Sequence, residues 1–222
     1  MSSKERWLET TWPRVRAWLP APPAVVVELG CGSRGGFVPA LEADGYDALG
    51  VDPQAPDGAS YRRIQFERSE LPDDADAIVA SLSLHHVADP AAVLDRIAGA
   101  LRPGGSLVVV EWDWERFDEA SARWCFERLD HEEEGWLHRT RDRWLASGLP
   151  WGTYLPGMAA EHGLHSARTL VDRLDERFAR RRLERGAYFF AELAQTSEAD
   201  ELQAIAAGQI NALRIDYGAI KP

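Results

Sequence analysis

Val25-Val26-Val27-Glu28-Leu29-Gly30-Cys31-Gly32-Ser33-Arg34-Gly35-Gly36 joins an apolar, β-branched run to an acid and then to a turn rich in glycine. Such a run has the pattern of a strand buried on both faces of a parallel sheet. The glycines let the backbone turn sharply and approach a ligand closely. The residues after them, from Phe37 through Leu41, are expected to be helical. Strand, turn and helix in this order present backbone N–H groups and a positive helix end at the mouth of a sheet, a site for a nucleotide cofactor.

Gly30-x-Gly32-x-x-Gly35 alone matches the dinucleotide fingerprint as well as other nucleotide sites. Glu28 separates them. An acid two positions before the first glycine would repel a pyrophosphate and favour a cofactor with an ammonium or sulfonium end, which points to S-adenosylmethionine. Tyr46-Asp47-Ala48-Leu49-Gly50-Val51-Asp52 has the pattern of a second strand ending in an acid, about twenty residues after the turn, where a carboxylate can accept from both ribose hydroxyls. Asp52 marks an adenosine ribose without distinguishing the two cofactors.

Four motifs then occur in order: Val27-Glu28-Leu29-Gly30-Cys31-Gly32, Gly50-Val51-Asp52, Ser81-Leu82-Ser83-Leu84-His85-His86-Val87 and Leu101-Arg102-Pro103-Gly104-Gly105. Together they resemble class I S-adenosylmethionine-dependent methyltransferases, in the small-molecule branch that includes the ubiquinone and menaquinone (type 11) enzymes. The resemblance covers Val25 to Trp112. One departure is that the third glycine stands three residues after Gly32, where the family usually has it two after. The resemblance implies an α/β fold: a doubly wound, Rossmann-like, seven-stranded, mainly parallel sheet with an antiparallel last strand. A helical insertion follows the fifth strand. It also implies one domain, with an N-terminal helical cap at 1–23, a cofactor-binding core at 24–112, a substrate-recognition insertion at 113–165 and C-terminal strands and helices at 166–222.

The same resemblance distributes roles. Glu28, Gly30 and Gly32 are expected to hold the amino-acid end of S-adenosylmethionine with Cys31 between them, and Asp52 the ribose with Pro53 beside it. Phe66 and Glu67, after a third strand over Tyr61 to Phe66, fall at the adenine. Ser81 and Leu82 supply backbone along the cofactor. His85 and His86 follow a fourth strand at Asp76 to Ser81 and are the candidate bases, since an unperturbed imidazole titrates near pH 6.5. One of the pair can equally be a hydrogen-bonded core histidine.

Ala91 to Leu101 has helical spacing, and Pro103-Gly104-Gly105 is a turn into a fifth strand, Ser106 to Glu111. Trp7, Leu8, Thr11, Trp12, Val15, Trp18 and Leu19 form the apolar stripe of a helix kinked near Pro13. In the resembling family such a helix closes over the pocket, which makes Trp12 a candidate substrate contact. Trp112 and Trp114 are the others. Trp124, Trp136 and Trp144, at helical spacing, are read as packing.

His131-Glu132-Glu133-Glu134, His138, His162 and His165 lack convincing ligand spacing, and no metal is expected. Arg177, Arg180, Arg181, Arg182 and Arg185 alternate as on a strand and are expected to pair with surface acids. A helix over Glu198 to Ala207 should lead to a last strand at Leu213 to Ala219.

With 222 residues, 45% of them hydrophobic, the chain can bury one sizeable core. A net charge of −11 argues against nucleic acid as a partner, and no apolar run suggests a membrane span. Cys31 and Cys125 form neither a disulfide framework nor a metal motif. A cytoplasmic monomer or homodimer acting on a small molecule is expected. The only lysines are Lys4 and Lys221, near the two ends, which leaves the tyrosine–lysine chemistry of short-chain reductases without support. An NAD-dependent oxidoreductase of another type and a catalytically silent, methyltransferase-like binding protein remain the alternatives.

Overall fold

The computed structural model describes residues 2–130 and 135–222. Its strands are β1 (Val25–Leu29), β2 (Asp47–Val51), β3 (Tyr61–Arg62), β4 (Ala75–Ser81), β5 (Leu101–Trp112), β6 (Ala179–Gly186) and β7 (Arg214–Ile220). Its helices are α1 (Ser3–Arg16), α2 (Val38–Ala43), α3 (Pro90–Ala100), α4 (Glu119–Phe126), α5 (Trp136–Ser147), α6 (Trp151–Glu161), α7 (Ala167–Asp175) and α8 (Glu198–Ala206). The sheet order is β3-β2-β1-β4-β5-β7-β6, parallel from β3 to β5, with β7 antiparallel to both of its neighbours. This is the expected seven-stranded, doubly wound sheet.

The unbroken apolar character of β1 follows from burial on two faces. Val26 joins Val38, Leu41, Val79 and Val108 under α1 and α2, while Val27 joins Ile78, Leu107, Leu94 and Leu170 under α3 and α7. Burying a side chain of this size contributes about 1.5–3 kcal/mol, which is why both layers hold. Helix α1 begins in a capping box in which Ser2 Oγ accepts from the Glu5 amide and Glu5 accepts from the Ser2 amide. It continues through Pro13 to Arg16 and buries Trp7, Thr11 and Val15 on one stripe. A third cluster, mostly aromatic, joins α4, α5 and α6 to Trp112, Phe189 and Leu213.

Two local expectations need correcting. Strand β3 ends at Arg62, because β2 offers partners only as far as Val51. Phe66 instead turns inward on a 3₁₀ turn, Phe66–Arg68. The turn at Pro103-Gly104-Gly105 is present, but as a bulge inside β5: Leu101 pairs with Ala75, and the register resumes at Ser106 opposite Ala77. Gly104 has φ +75° there and donates to Lys221 O at 3.0 Å. The arginines of β6 are largely ion-paired, Arg180 with Asp175, Arg182 with Glu184 and Arg185 with Asp113.

Candidate active site

The strand order reverses between β1 and β4, and the carboxyl ends of β1, β2 and β4 open onto a cleft of about 280 Å³. Gly30 borders it from β1, Asp52 and Pro53 from β2, Phe66 and Glu67 from the 3₁₀ turn, and Leu82 and His86 from the loop after β4. Gly30 has φ +84°, and a Cβ on it would lie 2.5 Å from Ser83 Cβ, so no other residue fits without displacing that loop. Asp52 Oδ1 accepts from the Gln54 amide at 2.7 Å, which aims the carboxylate at the end of its strand. Arg96 lies over the Phe66 ring at 5.8 Å and steadies it.

Four of the ten residues expected to touch a cofactor do not line this cleft. Glu28 is fully buried behind the turn, where it accepts from the Phe37 amide at 2.7 Å and from Ser81 Oγ at 3.3 Å. Its desolvated carboxyl is pushed up to about 7. Glu28 holds the glycine turn against β4. Ser81 serves the same contact, and the buried Cys31 thiol is pushed up to about 12, chiefly by desolvation. Gly32, at φ +65°, is half-buried, and a Cβ on it would meet open space.

A second cavity, of about 490 Å³, adjoins the first, and the two share Leu82 and His86. Its aromatic wall is built from Trp112, Trp136, Tyr188 and Phe189. Tyr188 stacks on Trp112 at 6.0 Å, and Trp136 lies edge-on to Trp112 at 5.1 Å. Met158, His162, Leu164, Arg139, Arg143 and Glu192 complete the lining with His85. Leu82 holds φ +51°, a conformation that costs a non-glycine residue about 1–3 kcal/mol, at the point where the cavities meet.

Glu111, at the end of β5, ties this junction together. It is 2% exposed and accepts from the amides of Ser83 (2.9 Å), Leu84 (2.6 Å) and Trp112 (3.2 Å), with His85 Nδ1 at 2.5 Å. The His85 and His86 rings are 4.1 Å apart. Burial pushes the His86 imidazole down to about 4, with the neighbouring His85 adding to the effect, so His86 is neutral at pH 7.

Of the three tryptophans expected at a substrate, only Trp112 lines the cavity. Trp114 donates to His165 O at 3.2 Å and is committed to packing, and Trp12 packs on Phe37 at 5.9 Å. Trp7, five residues earlier on α1, borders a smaller recess beside Leu82, Tyr188 and Glu192. Trp136, whose spacing suggested packing, is a wall residue. Tyr188, Phe189 and Glu192 come from beyond the expected insertion, after β6, and no motif marks them.

Among the described residues no three His, Cys, Asp or Glu side chains are grouped to hold a metal. The His131–Glu134 run lies outside the described residues. His138 Nε2 contacts Asp130 O at 2.5 Å, and His165 Nε2 contacts Val87 O at 2.8 Å. One Tyr-x-x-x-Lys spacing does occur, Tyr217 to Lys221. It lies on β7 and just beyond, with Tyr217 Oη bonded to Asp175 and Lys221 Nζ to Leu101 O, and neither residue reaches either cavity.

A family model described as a methyltransferase domain matches residues 5–177. The chain belongs to this family. With its fold, that makes it a class I S-adenosylmethionine-dependent methyltransferase by family. A curated relative, the 2-ketoarginine methyltransferase of Streptomyces arginensis, is 35% identical over 114 residues, 43% of this methyltransferase and 33% of the relative. The match thus spans about a third of that protein's length. An S-adenosylmethionine-dependent methyltransferase from Mesorhizobium loti superposes with a TM-score of 0.58 at 23% identity, over 96% of this chain and 100% of that one. The N-methyltransferase NodS of Bradyrhizobium japonicum WM9, in complex with S-adenosyl-L-homocysteine, gives 0.56 at 16% identity over 100% and 89%. These two likenesses establish the fold. Among the described residues no helix is long and apolar enough to cross a membrane.

Proposed function

We propose that this methyltransferase transfers a methyl group from S-adenosylmethionine to a small organic molecule held in the second cavity. The observation that carries the reading is the shared boundary of the two cavities at Leu82 and His86, where a cofactor in the first and an acceptor in the second would meet. The donor set of the first cleft fits the cofactor. Asp52 suits the ribose diol, Phe66 and Glu67 the adenine, and the backbone of Gly30 and Leu82 the amino-acid side. The cleft carries Asp52 and Glu67 and no Lys or Arg among the described residues, which suits a sulfonium cation and opposes a pyrophosphate.

When bound, the cofactor supplies an electrophilic methyl group. The residues then have to align the acceptor, exclude water and remove a proton where the acceptor carries one. The aromatic wall does the first two. Glu111 accepts from His85 Nδ1–H, which leaves Nε2 as the basic nitrogen of a ring that lines the acceptor cavity. The carboxylate stabilises the imidazolium formed when Nε2 takes the proton. Neutral His86 adds no positive charge beside the sulfonium. The protein acts as a single domain with the cap, core, insertion and C-terminal segments given above, in the cytoplasm, as a monomer or homodimer. Two buried, unpaired cysteines accord with a reducing compartment. The acceptor atom is set by the substrate, and 2-ketoarginine belongs on the first panel of acceptors because of the curated relative.

Calorimetric titration tests the cofactor. S-adenosylmethionine and S-adenosylhomocysteine should bind and NADH should give no heat, with Asp52→Ala weakening the first two by about tenfold, or 1.4 kcal/mol. No binding of either methionine-derived ligand to the folded chain would defeat the reading. Once an acceptor is known, Trp136→Ala should lower kcat/KM by about tenfold, while Trp114→Phe should stay within about twofold of the parent.

A further inference from the structure

Resting on the reading of the first cleft as the S-adenosylmethionine site, we infer that Lys4, in the first turn of α1, holds the cofactor's carboxylate in the recess beside Leu82. That recess, of about 120 Å³, is lined by Lys4, Trp7, Tyr188 and Glu192 among others, and Leu82 is the one residue common to it and both larger cavities. A cofactor with its adenosine in the first cleft and its sulfur at the junction still has an amino-acid arm to place. The arm ends in a carboxylate, and the first cleft offers that anion no Lys or Arg among the described residues. An anion held away from water without a counter-charge is costly, and an ammonium within reach removes much of the cost.

The first turn of α1 is fastened from both sides. Arg34, in the glycine turn, donates to Ser2 Oγ at 2.9 Å and to Glu5 Oε1 at 3.0 Å, while Arg6 donates to the carbonyls of Phe190 and Leu193. Trp7 packs on Phe37 at 6.0 Å, next to the turn. Lys4 is thereby held close to the glycine turn, and its charge acts there, favouring the ionised forms of Glu28 and Cys31, the two buried groups behind it. Glu192, on the recess wall, takes its charge partner from α5 in Arg139. This places the ammonium on the cofactor's side of the recess, which favours the cofactor's carboxylate over one carried by the acceptor. The other cations of α1 are engaged, Arg6 with those carbonyls, Arg14 with Glu198 and Arg16 with Asp44. The half-buried Lys4 side chain has neither a hydrogen bond nor an ion pair among the described residues.

Calorimetry on the full chain tests this with S-adenosylmethionine, S-adenosylhomocysteine and decarboxylated S-adenosylmethionine, which keeps the sulfonium and the amine and lacks only the carboxylate. Lys4→Met should weaken the two carboxylated ligands about tenfold, the size of one charge-assisted hydrogen bond, and bind the decarboxylated one as the parent does. Lys4→Arg should stay within about threefold of the parent for all three. The inference is overturned if Lys4→Met binds S-adenosylhomocysteine within about twofold of the parent, which would leave the recess to another anion such as a carboxylate of the acceptor. It is overturned equally if the decarboxylated ligand is weakened as much as the intact cofactor, since Lys4 would then be a support of the turn. Failure of the parent to bind either carboxylated ligand defeats the cofactor reading itself and this inference with it, a result distinct from the other two.

Discussion

Glu111→Ala should abolish methyl transfer and cost the fold at least about 3 kcal/mol, because it strips the acceptor from three backbone amides and a histidine at once. Each buried donor left unsatisfied costs about 1–3 kcal/mol. Among the described residues the Ser83, Leu84 and Trp112 amides have no other side-chain acceptor, and His85 is 5% exposed. Urea denaturation measures the stability loss. Glu111→Gln separates catalysis from folding. If the new amide N–H₂ takes the place of Oε2, it loses the Trp112 N–H as a donor, and Nδ1 of His85 must become the acceptor with the proton on Nε2, where it blocks base function. If the amide is turned the other way, N–H₂ meets the Ser83 and Leu84 N–H groups, donor against donor, which is the costlier arrangement because two contacts are lost. A fold weakened by about 1–3 kcal/mol, less than in the alanine variant, with turnover reduced about 10²-fold is therefore expected, the size of contribution a positioned base makes. Unchanged single-turnover rates in the glutamine variant would remove His85 from the chemistry.

The second large effect lies at Glu28. Its carboxyl titrates near 7 in the folded chain and near 4.5 when exposed, so the folded state holds the proton more tightly. Stability from this group is fully present below about pH 4.5. It falls as pH rises toward about 7 and is lost above that, a change of about 3 kcal/mol. Glu28→Gln can still accept from Phe37 and can turn its N–H₂ toward Ser81 Oγ. The variant should match the parent near pH 4.5 and exceed it in urea midpoint at pH 8. Burial also raises Glu192 and Glu201, but both proteins carry them, so the difference isolates Glu28. Equal pH dependence in the two proteins would show that Glu28 is ionised in the fold. Gly36→Ala attacks the same contact from the other side. At φ +57° its new Cβ would lie 2.3 Å from Glu28 Oε1, and a loss of about 3 kcal/mol is expected from strain and overpacking together.

Glu28 also shows how a correct inference can rest on an incorrect contact. The acid before Gly30 marked the family because it stands in this position. Its carboxylate, however, does not face the cleft; it fastens the turn whose backbone does. The sequence motif records that a group is required and leaves open the direction in which its side chain points. Tryptophan spacing fails in the same way. Trp114 is read from the sequence as a substrate contact and Trp136 as packing, and the packing of α5 against the end of β5 does the reverse, sending Trp136 to the cavity and Trp114 to a carbonyl of the loop at His165.

What the amino-acid sequence determined by itself is local and periodic. The valine run of β1, the acid at the end of β2, the helical spacing of α3 and the glycines with positive φ follow from backbone sterics and from burial on one or two faces, both of which act over a few neighbouring residues. These were enough for the parallel sheet and the family. The tertiary structure alone decided the second cavity and its rim, where Glu111, Tyr188, Glu192 and the arginines of α5 converge from segments up to some eighty residues apart. Their meeting depends on how β7 inserts between β5 and β6 and how the aromatic cluster settles over the strand ends. Such long-range packing fixes distances between side chains that no spacing along the chain encodes.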